Sequence, residues 1–167
     1  MDSAWGPGAN ASEAGGIKFA DRVSSYVVNG WFWGVDNGSA EMGIPLRYFA
    51  RETSITHPVW TPLVADGVVN WCGPRPTDPP AKDLFLGLAG NGTWQDRYYW
   101  DMRVMNIPRH GNRPSPVPRD WPASSPLPGA VNVVFYDGHA EAVKLDRLWQ
   151  LYWAAGWVPP AKRPGLP

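Results

Sequence analysis

Prolines at 114, 116, 118, 122, 126 and 128 restrict this chain more than any other feature. Proline lacks a backbone N–H and fixes φ, so no continuous helix or central strand can cross that stretch. The run from Pro108 to Gly129 is therefore expected to be one long loop, and Pro74–Pro80 a second. With 18 glycines and 19 prolines in 167 residues, ordered loop should outweigh long regular elements. The eleven tryptophans argue that these loops are packed, because disordered chains are poor in aromatics.

Regular structure is expected where proline permits it, above all in Val131–Lys144. Val131, Val133 and Phe135 alternate with Asn132, Val134 and Tyr136, the period of a strand. Asp137-Gly138 suits a two-residue type I′ turn. That turn sets Tyr136 opposite His139, Phe135 opposite Ala140 and Val133 opposite Ala142, leaving a small face for something to pack on. Leu145, Leu148, Trp149, Tyr152 and Trp153 then fall on one stripe of a helix over 145–155. Gly156 and Pro159-Pro160 end it. The predicted core is Val133, Phe135, Leu148, Trp149 and Tyr152.

Upstream, Ser24–Trp33 reads as a strand broken at Asn29-Gly30. Thr61–Ala65 reads as another, with Pro62 at its start or on an edge, and Val68–Trp71 as its continuation. Asp101–Ile107 alternates well enough for a further strand. Ile44–Arg51 and Ala81–Gly87 are short helical candidates, and Asp36–Ser39 and Asn91–Thr93 are turns. The predicted class is α+β: an antiparallel sheet, long Pro/Gly-rich loops, a C-terminal β-hairpin and one amphipathic helix packed on it. Residues 1–23 form an irregular lead-in and 24–167 a single domain.

Net charge is zero and no Lys/Arg run occurs, so nucleic acid is not an expected partner. The single Cys72 leaves no internal disulfide and no cysteine-based zinc site. It is expected to be an inert hydrophobe. No run of about 20 apolar residues marks a membrane span. No serine stands in a Gly-x-Ser-x-Gly context. Asp66, His110, Asp137 and His139 are the candidate metal ligands. The stronger reading is structural: Asp66 and Asp137 stand in Asp-Gly pairs and His139 flanks one, as turns require, and His110 can hydrogen-bond the loop that it opens. The tryptophans Trp5, Trp31, Trp33, Trp60, Trp71, Trp94, Trp100, Trp121, Trp149, Trp153 and Trp157 can anchor core and loops or stack on sugars.

Arg109-His110-Gly111, followed by Asn132-Val-Val-Phe135-Tyr-Asp137-Gly138-His139-Ala-Glu141, resembles the tail of bacterial prepilin-like proteins with the H-X9-DG processing-associated domain. Ser25-Tyr26, Asn29-Gly30-Trp31, Thr61-Pro62 and Ala65-Asp66 are similar to earlier blocks of that family. Here 26 residues, not nine, separate His110 from Asp137. The family's basic leader and N-terminal apolar helix are not found, so the chain is expected to be a fragment or to begin late. The resemblance implies a pseudopilin-like head beyond the cytoplasmic membrane, in the periplasm or at the cell surface. It further implies other pilin-like subunits or secretion components as partners and no catalysis. Calcium or another divalent metal is the only cofactor it suggests. The chain alone is expected to be soluble and monomeric. The alternative is a Trp-rich cell-surface carbohydrate-binding domain. A third reading is a metal-dependent hydrolase using His110, Asp137 and His139.

Overall fold

The computed structural model describes residues 26–33, 48–69, 71–87 and 101–167. The lead-in, the Asp36–Ser39 and Asn91–Thr93 turns, residues 44–47, Trp5, Trp94 and Trp100 lie outside them. Five strands form one sheet: β1 Tyr26–Asn29, β2 Pro62–Asp66, β3 Trp71–Cys72, β4 Ala130–Phe135 and β5 Ala140–Lys144. Their order is β3-β1-β2-β4-β5. Every pairing is antiparallel except β1 with β3, so the sheet is mixed rather than purely antiparallel. The α+β class with a C-terminal hairpin and a following helix is as expected. Pro62 begins the central strand β2, where its missing N–H costs least. Val68–Trp71 does not prolong β2. The chain turns away at Gly67 and returns as β3 on the far side of β1.

Val27, Ala65, Val131, Val133, Phe135 and Val143 share one sheet face and are all buried. Asn132, Val134, Ala140 and Ala142 on the other face are exposed, the one-sided pattern of an antiparallel sheet. The buried face is covered by the C-terminal segment and by Leu84, Met102, Val104, Met105, Ile107 and Leu127.

The hairpin has the expected strands but a different register. Val134 faces Ala140, Val133 faces Glu141 and Val131 faces Val143. Phe135 N donates to His139 O, and Gly138 N donates to Phe135 O. The loop is therefore three residues, Tyr136-Asp137-Gly138, of the kind that closes with a left-handed residue. Gly138 fills that position at φ 92°. A one-residue shift exchanges the faces of a strand. The small Ala140 and Ala142 thus point to solvent, while His139 and Glu141 share the side of Phe135.

The helix after the hairpin is a 3-10 helix, Leu145–Gln150, and stops well short of residue 155. With three residues per turn, side chains at i and i+3 eclipse. Leu145, Leu148 and Leu151 form that buried column, and Trp149, Trp153 and Trp157 are buried beside it. Tyr152, expected in the core, is half-buried and stacks on His57 with centroids 3.8 Å apart.

Asp101–Ile107 is not a strand. Met102–Met105 is a 3-10 helix, because Asp101 caps it by accepting from Arg103 N at 2.9 Å. Tyr48–Ala50 is irregular, so no helix reaches Arg51. Leu84–Leu86 makes one turn, held by Asp83 accepting from the N–H groups of Phe85 and Leu86. Among the described residues no helix is long and apolar enough to cross a membrane.

Candidate functional site

The motif residues occupy the two ends of β4. At its start, His110 N donates to Ala130 O at 2.9 Å, and His110 O accepts from Ala130 N at 2.8 Å. The proline-rich loop therefore closes on itself between His110 and Ala130. Its 19 intervening residues form an excursion that leaves His110 beside β4. Gly129 allows this approach: its φ is 76°, and a Cβ there would lie 2.7 Å from the Pro108 side chain. The exposed His110 ring places Nε2 3.0 Å from Asp66 Oδ2 and 2.9 Å from Asn132 Nδ2. One nitrogen cannot donate to the carboxylate and accept from the amide together. With Nε2–H aimed at Asp66, the Asn132 amide cannot also donate to that nitrogen.

Asp66 is buried, and its Oδ2 also accepts from Asn132 N at 2.7 Å. It thereby satisfies the β4 amide next to the point where β2 ends. Arg109 donates through Nη2 to Gly67 O at 3.0 Å. Burial pulls its guanidinium below the ordinary range, and the Asp66 charge opposes that pull. A guanidinium in the field of Asp66 also works against a divalent cation there.

At the other end of β4, Asp137 Oδ1 lies 2.6 Å from His139 Nδ1 and accepts from His139 N at 3.2 Å. The hydrogen bond from His139 holds the Asp137 carboxyl below its usual range. The His139 ring lies flat on Phe135, with centroids 4.4 Å apart. A carboxylate on Nδ1 is the orientation a general base uses. Among the described residues no hydroxyl or thiol is hydrogen-bonded to that imidazole.

The structure thus brings Asp66 to His110 and Asp137 to His139, but keeps the two pairs apart. From Asn132 to the end of β4 at Phe135 the strand rise is about 10 Å, and Asp137 lies beyond it in the turn. The single four-ligand site, and the hydrolase built on His110, Asp137 and His139, do not assemble. Among the described residues no three His, Cys, Asp or Glu side chains gather.

A third polar cluster lies inside, built on aspartates that the sequence spreads through loops with no spacing to pair them. Asp78 and Asp101 are each about 3% exposed. Asp78 accepts from Arg75 N at 2.7 Å, Arg75 Nε at 3.0 Å and Met102 N at 3.1 Å. Asp101 is paired with Arg103 Nη2 at 2.7 Å. Cys72 is buried, its Sγ 3.9 Å from Met105 Sδ. Burial first, then the charges of Asp101 and Asp78, push its thiol well up, so it is a poor nucleophile.

Burial, and then the charge of Asp101, push the Asp78 carboxyl up to about 6 against the pull of Arg75 and two backbone N–H groups. A carboxyl raised on folding stabilises the fold fully below its unfolded value and loses that contribution as pH rises through the folded value. The Asp78 contribution should therefore fall by roughly 3 kcal/mol between about pH 4 and pH 6, then level. Asp78→Asn should remove this slope. The measurement is chemical denaturation of both proteins across that range; parallel pH curves would exclude Asp78 as its source.

The described tryptophans divide by environment. Trp31, Trp149, Trp153 and Trp157 are buried, and Trp71 and Trp121 half-buried, whereas Trp33 is 59% and Trp60 41% exposed. No family model, curated protein or solved structure matches this chain.

Proposed function

We propose that this chain is the head of a prepilin-like, type II secretion pseudopilin-like protein, acting by recognition and not by catalysis. The observation that carries the reading is how the Arg-His-Gly and Asp-Gly-His residues are used. His110 zips the proline-rich loop to β4, and Asp137 and Gly138 form the hairpin turn. Asp66, from a block that also resembles the family, satisfies the Asn132 amide. A signature whose polar groups are spent on hydrogen bonds within their own fold suits a structural module better than a reaction centre. In this reading residues 24–167 form one head, displayed in the periplasm or at the cell surface. Its partners are pilin-like subunits or secretion components, and an apolar N-terminal helix of about 20 residues supplies anchoring and assembly.

The test is the DNA immediately upstream of the Met1 codon. An in-frame basic leader followed by an apolar helix of the Phe-Thr-Leu-Ile-Glu type is the expected result. An in-frame stop codon with no such segment between it and Met1 would overturn the reading.

A further inference from the structure

Trp60 stands apart from the core tryptophans. Trp31, Trp149, Trp153 and Trp157 each donate the indole N–H to a backbone carbonyl. Trp60 ends the 3-10 turn Pro58–Trp60 with much of its ring in solvent. It is nevertheless held firmly. Its N–H donates to His57 O at 2.8 Å, and its carbonyl accepts from Tyr152 N at 2.8 Å. Tyr152 lies against the His57 ring, and His57 Nδ1 is 2.8 Å from Thr56 Oγ1. The guanidinium carbon of Arg147 is 5.7 Å from the Trp60 ring centroid. Arg147 is exposed and forms no ion pair among the described residues.

We propose that Trp60, Arg147 and Tyr152 form a binding site for an acidic polysaccharide, with a sugar ring stacked on the Trp60 indole and its carboxylate paired with Arg147. Charge complementarity selects the ligand class: among the described residues, the charged group set against the ring is a cation without a counter-ion. A pyranose presents a flat C–H face to the indole, and Tyr152, whose N–H is bonded to the Trp60 carbonyl, borders it. The Trp60 backbone is bonded in place and the His57 and Tyr152 rings are already stacked, so little backbone ordering opposes binding. An anionic membrane would be gripped by a cluster of cations, and among the described residues a single one flanks the ring. An acidic peptide offers the carboxylate but no flat saccharide face. This site is argued independently of the pseudopilin reading, and the upstream-DNA test bears on that reading alone.

The experiment is affinity electrophoresis of the whole chain through gels containing polygalacturonate, a neutral galactan or polyglutamate, with co-sedimentation on phosphatidylglycerol vesicles alongside. Retardation by polygalacturonate alone is expected. Trp60→Ala should abolish it, Arg147→Gln should weaken it severalfold, and Trp60→Phe should retain part of it. Unfolding midpoints of the three variants establish that each is folded. The proposal is overturned by no retardation in polygalacturonate, by equal binding to galactan, polyglutamate or vesicles, or by undiminished retardation of folded Trp60→Ala.

Discussion

Replacing Arg163 with alanine should cost about 3 kcal/mol of folding stability, at the lower end of the range for breaking a buried ion pair. The Arg163 guanidinium is fully buried four residues from the C-terminus. Its Nε donates to Asp146 Oδ1, Nη1 to Ala123 O at 2.7 Å and Pro164 O at 2.9 Å, and Nη2 to Ser125 O. Asp146 in turn accepts from Leu127 N through both oxygens, at 3.1 and 3.0 Å. One side chain therefore ties the proline-rich loop, the 3-10 helix and the tail together. Alanine strips three carbonyls and a carboxylate of their donor. Water reaches the partly exposed Asp146 and offsets some of that loss, which sets the expectation at the lower end. Arg163→Lys keeps the charge but not the planar fork that reaches several acceptors, and should fall between wild type and alanine. Urea denaturation of the three proteins is the measurement. A loss below about 1 kcal/mol for alanine would place the cluster among ordinary surface pairs.

The parts legible in sequence were those written as local pattern. Alternation located β4, and Asp137-Gly138 located the turn together with its positive φ. The register was not legible, because Asp-Gly serves both a two-residue loop and a three-residue loop ending in glycine. The longer loop is the one in which Asp137 Oδ1 accepts from His139 N and Phe135 N reaches His139 O. Leu145, Leu148 and Trp149, which share the expected stripe, are buried, because both helix types place i and i+3 on neighbouring positions. Leu151 was missed: it lies off an α-helical stripe but on a 3-10 column. The alternation of Asp101–Ile107 imitated a strand, and the signal that decides against it is the capping side chain of Asp101. Asn29 was read only as a turn residue. It is fully buried, and its Nδ2 donates to Pro62 O at 2.9 Å and Trp153 O at 2.8 Å. Like Arg163 and Asp78, it serves partners distant in sequence, and no window of neighbouring residues carries that information.

Distance along β4 separates the His110 and His139 sites. Sequence grouped their residues by type, whereas β4 sets them at opposite ends of one strand. The geometry makes two local dyads, each answering a backbone N–H that the fold exposes: Asn132 N at one end, His139 N at the other.

Trp149→Ala should be the most damaging single substitution, at about 4–5 kcal/mol. Trp149 is fully buried at the junction of the 3-10 helix, the sheet and the Pro74–Pro80 loop. Truncating a buried tryptophan to alanine typically costs about 3–5 kcal/mol through lost contacts and the cavity left behind. Its indole also donates to Asp78 O at 3.0 Å, so alanine leaves that carbonyl without its donor, a further loss of about 1 kcal/mol. The carbonyl of residue 149 still accepts from Trp157 Nε1 in either variant, because that bond uses backbone. Trp149→Phe keeps much of the ring but not the N–H and should cost about half as much, so comparing the two separates packing from hydrogen bonding. Domains of this size are commonly stable by about 5–15 kcal/mol, which makes the alanine variant marginal at room temperature. Urea midpoints, with near-ultraviolet circular dichroism as the reporter of aromatic packing, provide the check. A midpoint within about 1 kcal/mol of wild type would mean that the helix is not docked on the sheet as described.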